Sequence, residues 1–150
     1  MNGLKLGIYE LLAADTLLCD PESGLLALNA NPDSPSEEES RANSIVELRH
    51  IDKVKPPFIS IALDEDRRTG LVQTDAFVLV RCYNNRDKSF YTINKVLSRV
   101  RKLLDGQRLR EIEGEGYASV EILYESTRPE LPDEGVNLNF RESQYRSRYL

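Results

Sequence analysis

The stretch TDAFVLVRCYNNRDKSFYTINKVLSRVRKLLDG, residues 74–106, joins two elements of different period through a short polar turn. From Val72 to Tyr83 the chain alternates. Ala76, Val78, Val80 and Cys82 line one face, while Phe77, Leu79 and Tyr83 line the other together with Arg81. A strand apolar on both faces is a central strand covered on each side. Beyond Asn84-Asn85 the spacing changes to threes and fours: Phe90, Ile93, Leu97, Val100 and Leu104 form one stripe, widened by Val96 and Leu103. That pattern predicts an amphipathic helix from about Ser89 to Asp105. Asp87 or Ser89 can cap its start and Gly106 can end it. Arg101 and Lys102 stand where the helix dipole is negative.

The flanks supply partners for both elements. Upstream, Pro56-Pro57 launches a strand over Phe58–Leu63, and Asp64 to Gly70 (DEDRRTG) reads as a charged hairpin tip returning into Val72. Ile45 to Ile51 is a further strand. Residues 29–44 (NANPDSPSEEESRANS) carry little to bury and read as a loop. Leu4, Ile8, Leu11 and Leu12 stripe a short first helix, about Leu4 to Ala14, and Leu25, Leu26 and Leu28 fit a short strand. Downstream come Leu109 to Ile112, the turn Gly114-Glu115-Gly116, a strand from Tyr117 to Tyr124, an acidic turn at 128–135, and a long strand from Val136 to Tyr149. The apolar parity of that last strand switches between Phe140 and Tyr145, which predicts a bulge. The order predicts an α+β fold: an antiparallel or mixed sheet of roughly four to six strands with two helices packed on it.

Composition narrows the function classes. At 150 residues the chain has the size of one domain, here residues 1–150. Cys19 and Cys82 form no C-x-x-C pair and read as reduced thiols. Glu10 and Asp15 interrupt the first apolar stretch, which argues against a signal peptide, and no apolar run reaches the roughly 18 residues that a membrane span needs. The expectation is a soluble protein made in a cytoplasm. The net charge of −5 is unevenly spread: residues 86–110 carry 8 basic and 2 acidic side chains, between two acidic segments. A basic block of this kind meets nucleic acid, an acidic surface on another copy, or only solvent. The acidic total argues against non-specific DNA binding, which depends on neutralising phosphates.

Motifs for chemistry are sparse. His50 is the sole histidine and cannot by itself make a zinc site with two widely separated cysteines. No phosphate-binding loop, dinucleotide fingerprint or nucleophile elbow occurs, so neither cofactor nor metal is expected. The sharpest catalytic candidate is the carboxylate group Asp64, Glu65, Asp66 with Asp75 across the hairpin, since carboxylates at strand ends can hold Mg²⁺ for phosphodiester hydrolysis. The next strand lacks the acidic-x-Lys triplet that a restriction-like nuclease uses, and Arg67 and Arg68 can neutralise the cluster. The ending RESQYRSRYL (141–150) interleaves arginine with tyrosine, a pattern found in nucleic-acid grips and protein interfaces, and an edge strand is its most economical reading.

Taken along its whole length, the chain resembles the tail terminator, or tail completion, proteins of long-tailed bacteriophages. The features that carry the likeness are the helix at 4–14, the Pro-led strand PPFISIAL (56–63), the charged hairpin, residues 74–106 quoted above, and the strands YASVEILYES (117–126) and VNLNFRESQYRSRYL (136–150). The resemblance implies a non-catalytic virion protein that caps the completed tail tube as a ring, a hexamer in the family. It would be assembled in the host cytoplasm and placed at the neck of the virion. Its implied partners are its own copies, the tail tube protein and a head-side connector, with no membrane and no specific nucleic-acid binding, although DNA may pass through the ring. The charged positions expected at subunit or partner contacts are Lys95, Arg99 and Lys102 on the helix, Asp64, Glu65, Asp66, Arg67 and Arg68 at the hairpin, and Arg146 and Arg148 near the end. The insertion at 29–44 departs from shorter family members. Two alternatives stand beside this reading: another neck protein, such as a head-closure or adaptor ring, and a small metal-dependent phosphodiesterase using Asp64, Asp66 and Asp75.

Overall fold

The computed structural model describes residues 3–19, 24–26, 45–47, 55–65, 76–113 and 116–149. Three helices are present among them: α1 (Gly3–Ala13), the single turn α2 (Thr16–Cys19) and α3 (Tyr91–Leu104). Seven strands form one sheet: β1 (Ile45–Glu47), β2 (Phe58–Glu65), β3 (Ala76–Asn85), β4 (Gln107–Glu113), β5 (Gly116–Thr127), β6 (Leu131–Asp133) and β7 (Leu138–Tyr149). The order across it is β1-β2-β3-β7-β5-β4, with β6 paired to β7 at 138–140. All pairs are antiparallel except β1 with β2, so the sheet is mixed and the fold is α+β. No helix among the described residues is long and apolar enough to cross a membrane.

The alternation read in β3 is what centres the sheet. Val78, Val80 and Cys82 are fully buried against the helices, together with Ile59 and Ile61 of β2, Val120 and Ile122 of β5, and Tyr145 of β7. Helix α3 closes this side with Ile93, Val96, Leu97, Val100 and Leu104, the stripe expected from its spacing. Ile8 and Leu12 of α1, with Leu18 and Cys19 of α2, complete the core.

Several local expectations change. Helix α3 starts at Tyr91, and neither Asp87 nor Ser89 caps it: Phe90 occupies the cap position without a side-chain bond. The cause is packing, because Phe90 lies half-buried against the core while its carbonyl accepts the Asn94 N–H at 2.9 Å. At the other end Gly106 has φ +76°, as a helix stop requires, and its N–H crosses to the Ile122 carbonyl at 2.7 Å. Leu25 and Leu26 are not in a strand. Their N–H groups donate to the carbonyls of Leu17 and Leu18, each at 3.0 Å, folding the segment back under α2. Asp64 and Glu65 belong to β2 rather than to a turn, and the acidic turn after β5 contains β6. Leu28, the loop at 29–44, residues 48–51 with His50, and residues 66–75 lie outside the described residues.

The expected bulge in β7 is in its partner. Strand β7 pairs with β3 in unbroken register from Leu138↔Asn85 to Ser147↔Ala76. The irregularity falls in β5 between Tyr124 and Ser126. The parity switch in β7 has another cause: Leu138 and Phe140 join Phe58 and Tyr83 in a second apolar cluster, whereas Tyr145 joins the main core. The register puts the two sets on opposite faces.

Leu97 is 4% exposed in the middle of α3. Leu97→Ala is expected to lower unfolding stability by about 2–5 kcal/mol, and Leu97→Asp to abolish cooperative thermal unfolding, because it buries a charge. Circular dichroism melting checks both; an unchanged melting curve for the aspartate variant would contradict the helix placement.

Candidate subunit interface

Register sorts the sheet's side chains by face. Helices cover one face. The other carries rows that run straight across the strands, and among the described residues no helix lies on it.

At one end of this second face, Phe58, Tyr83 and Phe140 stack in adjacent strands. The ring centroids are 5.0 Å apart for Phe58–Tyr83 and 5.2 Å for Tyr83–Phe140. The next row holds Ser60, Arg81 and Glu142. Glu142 is 3% exposed and takes a hydrogen bond from Arg81 Nε at 2.6 Å, while Arg128 Nε stands 3.6 Å from its other oxygen. The Arg81 guanidinium lies 4.9 Å from the centre of the Phe140 ring and donates to the Tyr83 hydroxyl at 3.4 Å. Burial alone would lower the Arg81 pKa, but the bonds to Tyr83 and Glu142 outweigh it and hold it above its ordinary value. A charge pair embedded this way is geometrically demanding, since a lone buried carboxylate is costly. Sequence reasoning missed the Arg81–Glu142 pair and the aromatic stack; the signal available was the Leu138–Phe140 parity, out of phase with Tyr145.

Further along the same face stands the row Phe77–Arg146–Leu123, followed by Arg148–Glu121–Arg108. Phe77, Leu79, Ala62 and Leu123 are half-buried, while Arg108, Arg146 and Arg148 are exposed. The arginine–tyrosine alternation of the chain end therefore separates by face: Arg146 and Arg148 point away from the helices, and Tyr145 points into the main core.

The helix cations divide differently. Lys102 is exposed, and exposed Lys95 lies 4.5 Å from the centre of the exposed Tyr91 ring. Arg99 is held by Asp15, with Nη2 at 2.6 Å and Nε at 3.0 Å from its two carboxylate oxygens. That contact keeps the Arg99 pKa above its ordinary value. Asp15 also accepts the Leu18 N–H at 3.2 Å, so this one carboxylate fixes α2 and ties it to α3. Arg101 covers the Tyr124 ring at 3.7 Å. The ten charged positions singled out in the sequence thus do not form one patch. Lys95, Arg99 and Lys102 lie on the helix side and Arg146 and Arg148 on the opposite face of the sheet. Asp64 and Glu65 end β2, and Asp66, Arg67 and Arg68 lie outside the described residues.

No group of three or more His, Cys, Asp or Glu side chains that could hold a metal ion occurs among the described residues. Of the carboxylates proposed for phosphodiester hydrolysis, Asp64 sits opposite Phe77 in β3, and Asp66 and Asp75 are outside the described set. Cys82 is fully buried, and that burial pushes its thiol far above the ordinary range, which leaves it unreactive.

No family model matches the chain, and no curated protein matches it. Its fold is similar to that of a chain in the solved virion of a native gene transfer agent (GTA) particle. The TM-score is 0.62 at 14% identity, and the match covers 98% of this chain and 94% of that one. The likeness is of fold, and it extends over nearly all of both chains.

Burial raises the pKa of the Tyr83 and Tyr145 phenols. In the unfolded chain these phenols ionise near pH 10. The folded state holds their protons more tightly, so this share of stability is complete below about pH 10 and is lost as pH rises toward the folded-state values. Absorbance at 295 nm followed with circular dichroism should show the two phenols ionising only as the fold is lost. Reversible ionisation of all seven tyrosines with unchanged ellipticity would contradict their burial.

Proposed function

We propose that the chain is a structural virion protein that closes the completed tail tube of a phage-type particle as a homo-oligomeric ring and presents the joining surface to the head. The observation that carries this reading is the end-to-end likeness of fold to a chain from a gene transfer agent virion. The order of elements along the sequence, which resembles that of tail terminators, supports the same reading. A shared fold does not by itself assign a role, but here the fold and the sequence resemblance point to the same class of assembly.

The surface chemistry supports an assembly role. The sheet face away from the helices carries half-buried Phe77, Leu79 and Leu123 beside exposed Arg108, Arg146 and Arg148. Apolar residues ringed by arginines are the composition of protein contact surfaces. Tyr91 with Lys95 supplies a second exposed aromatic and cation pair on the helix side. A ring built from head-to-tail contacts needs two different surfaces on each copy, and these lie on different sides of the fold. In this reading the neighbours are other copies, the tube protein below and a connector protein above; the chain is non-catalytic and resides in the tail or neck.

Imaging by negative-stain electron microscopy tests this directly. Purified protein mixed with tail tubes should appear as a single cap at one end of each tube and should stop tube elongation. Protein that binds head connectors but ignores tube ends would shift the assignment to a head-closure or adaptor ring. Protein that binds neither would contradict the virion reading.

A further inference from the structure

Helix α3 buries Ile93, Val96, Leu97, Val100 and Leu104, which leaves Tyr91, Lys95, Ser98 and Lys102 as a stripe on its outer side. All four are exposed. Tyr91 is 64% exposed, and Lys95 Nζ stands 4.5 Å from the centre of its ring. Exposed Arg86 and Lys88 carry the positive charge into the turn before the helix, where Asp87 offsets one of them. Among the described residues, no carboxylate forms an ion pair with Lys88, Lys95 or Lys102. Leu17, 56% exposed, belongs to α2, which the Asp15–Arg99 pair ties to this helix. Apolar side chains inside a charged rim are arranged as in protein contact surfaces.

A surface of opposite sign lies where β5 passes into β6. Glu125, Glu130 and Glu134 are exposed there, and Leu131 among them is 46% exposed. The one cation of this stretch, Arg128, stands 3.6 Å from buried Glu142, which takes up its charge. Leu17, Tyr91 and Leu131 are the exposed large apolar side chains among the described residues, so each of the two charged surfaces carries at least one. The two are also fixed to each other within one copy. Strand β6 is paired to β7, and Arg141 donates from Nε to the Arg128 carbonyl at 3.0 Å and from Nη1 to Asn94 of α3 at 2.7 Å. The helix stripe faces away from the sheet, while the β5–β6 border lies in its plane. Two surfaces held at a set angle are what a closed ring of identical copies needs.

We propose that the outer face of α3 in one copy, centred on Tyr91 and Lys95, receives the β5–β6 border of the next copy, centred on Glu130, Leu131 and Glu134. This proposal rests on the ring reading and specifies its contact. Charge selects the occupant, since lysines meet glutamates while Tyr91 and Leu131 cover one another. The sheet face with Arg108, Arg146 and Arg148 carries the same sign as the stripe, so the two repel. Duplex DNA would suit the lysines through its phosphates, but it offers Leu17 and Tyr91 no apolar partner and leaves the glutamates without one. Exposed ion pairs are individually weak, so the two apolar side chains supply affinity and the charges supply orientation. Repeated head to tail, the contact uses both surfaces of every copy.

The test is charge exchange. One variant reverses the border, Glu130→Lys with Glu134→Lys, and a second reverses the helix face, Lys88→Glu with Lys95→Glu; all four positions are exposed. In native mass spectrometry neither variant alone should form rings, because each then sets like charges against each other. Mixed in equal amounts, the two restore opposite signs at every contact, and the expected result is rings that alternate the variants and hold an even number of copies. Rings from either variant alone, or none from the mixture, overturn the contact and leave the ring reading standing. Wild-type protein that forms no ring, free or at tube ends, overturns the reading on which the contact rests. Retardation of duplex DNA by the wild type, lost in the helix-face variant while that variant still forms rings, assigns the stripe to nucleic acid and also overturns the contact. Should a reversed variant fail to fold, Tyr91→Ala and Leu131→Ala give the same decision. Each should raise the concentration at which rings form about tenfold or more, and an unchanged concentration overturns the proposal.

Discussion

Strand β7 carries the constraint on which the remaining structure depends. It is paired with β3 along one side and with β5 and β6 along the other, so its backbone is used over nearly its whole length. Its side chains then do two jobs. Residues near its start, Leu138 and Phe140, build the apolar cluster on the face away from the helices, and Glu142 anchors two arginines there. Tyr145, with buried Ser143 and Ser147, faces the helices, where Tyr145 meets Tyr124 edge-on at 5.6 Å. A strand that serves both faces cannot slip by one residue without exchanging a buried glutamate for a core tyrosine. The register of β3, β5 and β6 is fixed with it.

That dependence explains what the sequence shows and what it hides. Strand β3 was legible because its alternation is apolar on both faces, and α3 because its stripe has an unambiguous period. The end of α3 was legible from Gly106, since a positive φ at a helix end selects glycine. Its start was not: Asp87 and Ser89 are good caps in isolation, but the packing of Phe90 decided the boundary, as tertiary contacts often do. In β7 the parity switch was visible and its cause was not, because a bulge and a change of core face leave the same trace in sequence. The bulge itself sits opposite, in β5, where Tyr124 and Ser126 flank an ordinary Glu125.

The candidate contact surface was less legible still. Charge alone grouped Lys95, Arg99 and Lys102, yet Arg99 is held by Asp15 and contributes to the joint between α2 and α3. Arg146 and Arg148 stood in an arginine–tyrosine pattern that read most simply as an edge strand, yet β7 is central, flanked by β3 and β5. The sheet separates the two residue types, burying Tyr145 and leaving the arginines beside Phe77 and Leu123. Arg81, read as sharing a face with Phe77, Leu79 and Tyr83, pairs with Glu142, 61 residues away in sequence. Pairings of that range are set by strand order, which local pattern does not reveal.

Both faces of the sheet are organised by the same strand. The helices seal one face, and the aromatic and ionic rows stiffen the end of the other. The account stands on β7 binding both faces into one cooperative unit, and residue-resolved native-state amide exchange measures that directly. Amides at 138–142 and at 143–147 should open with the same free energy, close to that of global unfolding. Exchange at 138–142 through a separate, much cheaper opening would show that the second apolar cluster is an appendage, and would contradict the account.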